Sequence, residues 1–189
     1  MEGNKINPAP LGLAAFGLTT VLLNLINAGI IPHESLGMVL PLGLFFGGLG
    51  QVLAGNREVA VGNTFGSTAF TAYGGFWLAF ATMVILENLN VIAPVPKAGL
   101  SAFLAGWGLF TLYMTIPTLK KPKALFVVFS TLTILFFLLA IGVYYPSVHT
   151  IAGYEGLICG GSALYLSAAD IINETFGREA LPIGKKPIV

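Results

Sequence analysis

Apolar residues run almost unbroken through six stretches, near residues 10–31, 36–55, 64–86, 98–119, 124–145 and 151–172, and the polar positions collect between them. At about 1.5 Å of rise per residue, each stretch is long enough to cross the roughly 30 Å hydrocarbon core of a bilayer as a helix. The connections are short and hold the helix breakers and charges: Pro32, His33 and Glu34; Asn56, Arg57 and Glu58; Pro94, Pro96 and Lys97; Lys120, Lys121 and Pro122; Pro146 to His149. The pattern predicts an all-α polytopic membrane protein. Its bundle of six transmembrane helices occupies 10–172, with an N-terminal segment over 1–9 and a C-terminal tail over 173–189. Asn7 is placed to cap the first helix, which starts beside Pro8 or Pro10, because a proline in the first turn lacks only an N–H that would have no partner.

Composition agrees with the pattern. Hydrophobic residues make up 56% and charged residues 9% of 189 positions, against roughly 45–50% and about 25% in a soluble domain. A net charge of +1 excludes the basic balance of a nucleic-acid binder. The single cysteine, Cys159, reads as a small apolar residue on a membrane helix. Lys5 is the only basic residue ahead of the first run, and without a cleavage site that run reads as a retained helix.

Lys and Arg set the orientation. With the N-terminus inside, Lys5, Arg57, Lys120, Lys121, Lys123, Arg178, Lys185 and Lys186 fall on the cytoplasmic side and Lys97 alone falls outside. Positive charge is retained on the cytoplasmic side during insertion. The expectation is a multi-pass protein of the cytoplasmic membrane with both termini in the cytoplasm.

An internal echo relates the fourth helix to the first. Leu13-Ala14-Ala15-Phe16-Gly17-Leu18-Thr19-Thr20 aligns with Leu104-Ala105-Gly106-Trp107-Gly108-Leu109-Phe110-Thr111, so that Leu, Ala, an aromatic, Gly, Leu and Thr recur in register. Three helices per half would place the halves in opposite directions, a 3+3 inverted repeat of the kind common in transporters.

Enzyme chemistry has little to work with. His33 and His149 lie in connections and Cys159 is the one thiol, with no spacing that suits a metal; neither an enzyme nor a cofactor is expected. Polar residues inside the runs are mostly hydroxyls, such as Thr19, Thr20, Ser67, Thr71, Ser130 and Thr131, which commonly bond only to their own helix or a neighbour. The amides of Asn24, Asn27 and Gln51 are harder for hydrocarbon to satisfy and are candidates to line water or solute. Glu87, Glu155 and Asp170 fall toward interfaces, and no Lys or Arg lies inside a run. A bound anion would therefore rely on amides, hydroxyls and helix N-termini. Gly43 to Gly47 and Gly156 to Gly160 are GxxxG spacings that suit close helix contact within or between subunits.

Three blocks carry a family resemblance: Asn7-Pro8-Ala9-Pro10-Leu11-Gly12-Leu13; Asn63-Thr64-Phe65-Gly66 with Thr68 to Thr71, Tyr73-Gly74 and Phe76-Trp77; and Gly156 to Gly160 with Asn173-Glu174, Phe176 to Arg178 and Leu181 to Gly184. In order and spacing they resemble the acetate uptake transporter family, which includes the succinate/acetate permease. Ala72 and Gly75 stand where bacterial relatives have serines, and Leu86 to Lys97 has no clear counterpart.

The resemblance implies passage of acetate, and of succinate, through a pathway in each protomer of a homo-hexamer, channel-like or coupled to protons. It implies a constriction built from Phe16, Tyr73 and Leu132. Candidates to touch the carboxylate are Asn7, Pro8, Leu11 and Gly12 in the first block, with Thr20, Asn24, Gln51, Thr71 and Thr131 within the helices. The rival reading is a channel for a neutral small solute such as water or ammonia, which the lack of a cation inside the runs favours. A structural membrane protein without a pathway is disfavoured by the three amides.

Overall fold

The structure, a computed structural model, describes residues 6–189; Lys5 and most of the 1–9 segment lie outside the described residues. Six helices match the six apolar runs: α1 (Ala9–Asn27), α2 (His33–Ala60), α3 (Thr64–Asn88), α4 (Lys97–Thr118), α5 (Lys123–Gly142) and α6 (Pro146–Phe176), each long and apolar enough to cross a membrane. No strand occurs among the described residues. Six crossings leave both chain ends on one side of the bundle, hereafter the termini face.

Several helix ends differ from those the apolar pattern predicts, each for a local reason. α1 stops at Asn27 because Gly29 turns the chain at φ +72°, with Ile30 N–H bonding back to Leu25 O at 2.9 Å. α2 runs through Asn56, Arg57 and Glu58, which are helix and not connection; the break comes at Gly62, with φ +75°. Pro146 opens α6 and does not precede it, consistent with the tolerance for proline in a first turn. α2 is also irregular, since Pro41 interrupts its hydrogen-bond ladder and Gly43–Gly50 follows as a wide π turn. Such i→i+5 segments are rare and recur near functional sites.

The helices pack around a ring: α1 on α2, α2 on α3, α4 on α5, α5 on α6, and α6 back on α1. Between α3 and α4 the gap is bridged by aromatic side chains. Phe76 stacks on Phe103 at 5.7 Å between centroids and meets Trp107 edge-on at 5.3 Å. In lipid no hydrophobic force drives helix against helix, so close van der Waals packing must hold them together. The GxxxG pairs serve that purpose inside the protomer. Gly43 lies against Trp77, Gly47 against Thr19, Gly156 against Asn24 and Gly160 against Gly17.

The tail returns to the bundle. Gly177, at φ +61°, ends α6, and Asn173 Oδ1 accepts from Ala180 N–H at 2.7 Å and Leu181 N–H at 2.8 Å. Gly184 O and Ile183 O then accept from Lys123 N–H and Ala124 N–H at 2.9 and 3.0 Å, satisfying amides of the first turn of α5 that have no partner within that helix.

Candidate transport pathway

A cavity of about 200 Å³ opens between α1, α2, α3, α5 and α6 toward the termini face. That is several times the roughly 30 Å³ a water molecule occupies in the liquid. Its walls are mostly apolar and aromatic, and Phe16, Tyr73 and Leu132 all line it. The three side chains are 6%, 3% and 3% exposed. Counted from the helix starts, Phe16 lies seven residues in and Tyr73 and Leu132 nine each, about 10 to 14 Å along their helices. The Phe16 and Tyr73 rings are 6.1 Å apart, and Phe129, one turn before Leu132, also stands 6.1 Å from Tyr73. The Tyr73 hydroxyl donates to Thr111 Oγ1 at 2.9 Å, so it points to α4 and away from the cavity. The surface these three present to the cavity is apolar, and Gln51, nine residues from the Ala60 end of α2, lies at a similar depth.

Of the three amides Asn24, Asn27 and Gln51, only Gln51 lines this cavity. It is fully buried; its Nε2 donates to Gly47 O at 2.6 Å and its Oε1 has no partner. Because the nitrogen must face the carbonyl, the free atom is an acceptor. Asn24 and Asn27 instead belong to the α1–α6 contact in the other half of the bundle. Asn24 Nδ2 donates to Thr20 O at 2.8 Å, Asn27 Nδ2 donates to Asn24 Oδ1 at 3.1 Å, and His149 Nε2 stands 3.3 Å from Asn27 Oδ1. Thr20 is buried beside them with its hydroxyl oxygen unpartnered.

The remaining candidates divide by location. Asn7 Oδ1 accepts from Ala9 N–H at 3.1 Å, so it does bond the helix start, while Pro8 is buried; Ala9, not either of them, reaches the cavity. Leu11 packs on the core and Gly12 lies flat under the Phe70 ring. Thr71 is on an exposed face beside Gly55, and Thr131 bonds to Val127 O and Val128 O of its own helix, at 2.7 and 3.0 Å. Neither lines the cavity.

Three charged residues do, and the apolar pattern pointed to none of them. Glu58, assigned to a connection, is 1% exposed on the inner stripe of α2. Asn63 caps α3 by accepting from Gly66 N–H at 3.1 Å, and donates from Nδ2 to Glu58 Oε2 at 2.9 Å. Lys121 lines the mouth with its Nζ 5.9 Å from the centre of the Phe65 ring, and Asp170 of α6 faces it. The sequence held one signal: Gln51 and Glu58 are seven apart, which on a helix is one face.

An all-α bundle of six membrane-crossing helices around a largely apolar cavity has the architecture of a multi-pass transporter or channel. The chain belongs to the GPR1/FUN34/yaaH family, which it matches over residues 1–181. It is 48% identical over 181 residues to the succinate-acetate/proton symporter SatP of Escherichia coli, covering 95% of each chain. With acetate permease A of Emericella nidulans it shares 38% identity over 205 residues, 99% of this chain and 69% of that one. Among solved structures it is similar to the bacterial acetate channel SatP, with a TM-score of 0.92 and 46% identity, over 96% of this chain and all of that one. These relatives are named as transporters or channels, as the resemblance of the three sequence blocks implied.

Proposed function

We propose that the protein carries acetate, and succinate with it, across the cytoplasmic membrane through one pathway in each protomer of a homo-hexamer, with both termini in the cytoplasm. The reading is carried by one observation: a cavity lined by Phe16, Tyr73 and Leu132 in a chain 48% identical over 95% of its length to a succinate-acetate/proton symporter. The termini face bears Lys120, Lys121, Lys123, Lys185 and Lys186, which supports its cytoplasmic assignment. Open space around Gly75, Gly106 and Gly161 within the protomer supports close approach by neighbouring helices in an oligomer.

In this reading Lys121 draws the carboxylate to the mouth, and the neck sets the size of what passes. Phe16 and Leu132 offer no hydrogen bond there, and the Tyr73 hydroxyl is engaged by Thr111. In this reading a narrow, largely apolar neck with an acceptor but no cation rejects ions unless they shed charge or water. The test is uptake of labelled acetate by proteoliposomes holding the purified protein, with ammonia and water permeation in the same vesicles. Acetate flux above that of empty vesicles is expected; ammonia or water flux without acetate flux would give the pathway to a neutral solute instead.

A further inference from the structure

Glu58 is a buried carboxyl in a seat built for it. Its Oε2 takes a hydrogen bond from Asn63 Nδ2, and its Oε1 is buried in the same cavity wall without a partner. Gly66 of α3 leaves the room: a Cβ there would stand 2.7 Å from the Glu58 carboxyl carbon. Seven residues earlier, and so about 10.5 Å deeper on the same face of α2, Gln51 Oε1 is the other fully buried side-chain polar atom of the cavity lining without a partner among the described residues.

With Glu58 ionised, both free atoms accept hydrogen bonds and neither donates. A carboxylate ion has no hydrogen to give them, whereas a protonated carboxylic acid presents one O–H. The other charged groups facing Glu58 are Lys121, from the α4–α5 connection, and Asp170, from α6. α1 and α5 present no titratable side chain to the cavity, and α3 presents only Tyr73.

Resting on the acetate reading above, we infer that Glu58 is the proton acceptor of transport, taking the proton from the neutral acid after it has passed the neck. The acid first donates its O–H to Gln51 Oε1. At Glu58 the acid's O–H bond breaks as a new O–H bond forms on Oε1, leaving a free carboxylate and a neutral Glu58. The carboxylate leaves past Lys121, and Glu58 releases its proton to water at the termini face. Every step is reversible, so the same residue loads the acid in the opposite direction. Gln51 and Asn63 are positioning residues, the first for the acid and the second for the Glu58 carboxyl.

The experiment uses the full chain in proteoliposomes, with acetate uptake measured from pH 5.5 to 7.5 at clamped membrane potential. Glu58→Gln preserves shape but cannot take the proton, and it is expected to cut acetate uptake at least tenfold at every pH while leaving the pH dependence that the neutral fraction of the acid sets. Glu58→Asp keeps a carboxyl and is expected to retain at least a third of wild-type uptake, the reverse of the order a merely structural role would give, since Gln matches the shape of Glu better than Asp does. Wild-type uptake in Glu58→Gln would overturn the assignment of Glu58 and leave acetate transport standing. If Glu58→Gln fails to assemble, Glu58→Asp decides alone, and uptake below a tenth of wild type in assembled protein overturns the assignment. Wild-type vesicles that take up no acetate would instead overturn the acetate reading itself, and this inference with it.

Discussion

The Tyr73 hydroxyl donates to Thr111 Oγ1 at 2.9 Å, and Thr111 in turn donates to Trp107 O one turn earlier at 2.8 Å. This two-bond chain fixes the tyrosine ring across the gap between α3 and α4, with its centre 6.1 Å from that of Phe16. The aromatic wall of the proposed neck thus depends on a residue that does not itself line the cavity. Thr111→Val keeps the volume and removes the acceptor, leaving a buried hydroxyl unpaired at a cost of about 1–3 kcal/mol. A freer Tyr73 ring and a faster leak of acetate are expected. Tyr73→Phe removes the unpaired group along with the bond and should leak less than Thr111→Val; the reverse order in stopped-flow efflux would show that the bond does not hold the neck.

Leu132 is the smallest of the three neck side chains and is 3% exposed. Leu132→Ala should cost about 2–5 kcal/mol of stability and widen the neck, raising lactate and benzoate flux relative to acetate severalfold. Flux ratios in reconstituted vesicles at matched protein content provide the measurement. An unchanged ratio would remove Leu132 from the constriction.

A small carboxylic acid with a pKa near that of Glu, about 4.3, is neutral in about one molecule in 500 at pH 7 and one in 50 at pH 6; neutralising it at pH 7 costs about 3.7 kcal/mol. Dehydrating an unpaired carboxylate at an apolar neck costs several kcal/mol or more, so the protonated route competes. Lowering external pH raises the neutral fraction, and uptake should rise with it, by up to about tenfold per unit. Flux that followed only anion concentration and voltage would point to an anion channel.

Gly17 and Gly160 face each other where α1 crosses α6. A Cβ on Gly17 would come within 2.8 Å of Gly160 O, and one on Gly160 within 2.9 Å of Gly17 O. Gly17→Ala should therefore force the helices apart, destabilising the bundle by about 1–3 kcal/mol. Gly37→Ala near the start of α2, which meets open space and is not one of the glycines assigned to the subunit contact, is the control. Thermal midpoints in detergent, read by size-exclusion chromatography after heating, should fall for the first and hold for the second.

Asn173 makes three bonds to the tail: its Oδ1 to Ala180 and Leu181 N–H, and its Nδ2 to Leu181 O at 2.8 Å. At about 0.5–1.5 kcal/mol each, their loss in Asn173→Ala should free the segment whose Ile183 lines the cavity mouth. Faster hydrogen exchange over residues 178–189, with that of α1 unchanged, is the expected result.

The six crossings and the family blocks follow from the sequence, because a bilayer demands long apolar helices; the turns at Gly29 and Gly62, where φ > 0 favours glycine, are set elsewhere by the apolar pattern and emerge only in the fold. The facing of each helix does not follow in the same way. Lipid and bundle interior are both apolar, so the runs carry little periodicity to tell one side from the other. Asn24, Asn27 and Gln51 look alike as amides in hydrocarbon, yet only the packing assigns two of them to the α1–α6 contact and the third to the cavity. Glu58 shows the same limit from the polar side. In sequence it closes a charged cluster at a helix end; in the fold, the continuation of α2 to Ala60, the Asn63 cap and the bare Cα of Gly66 enclose its carboxyl. Those contacts join residues on two helices across a turn, and only tertiary packing brings them together.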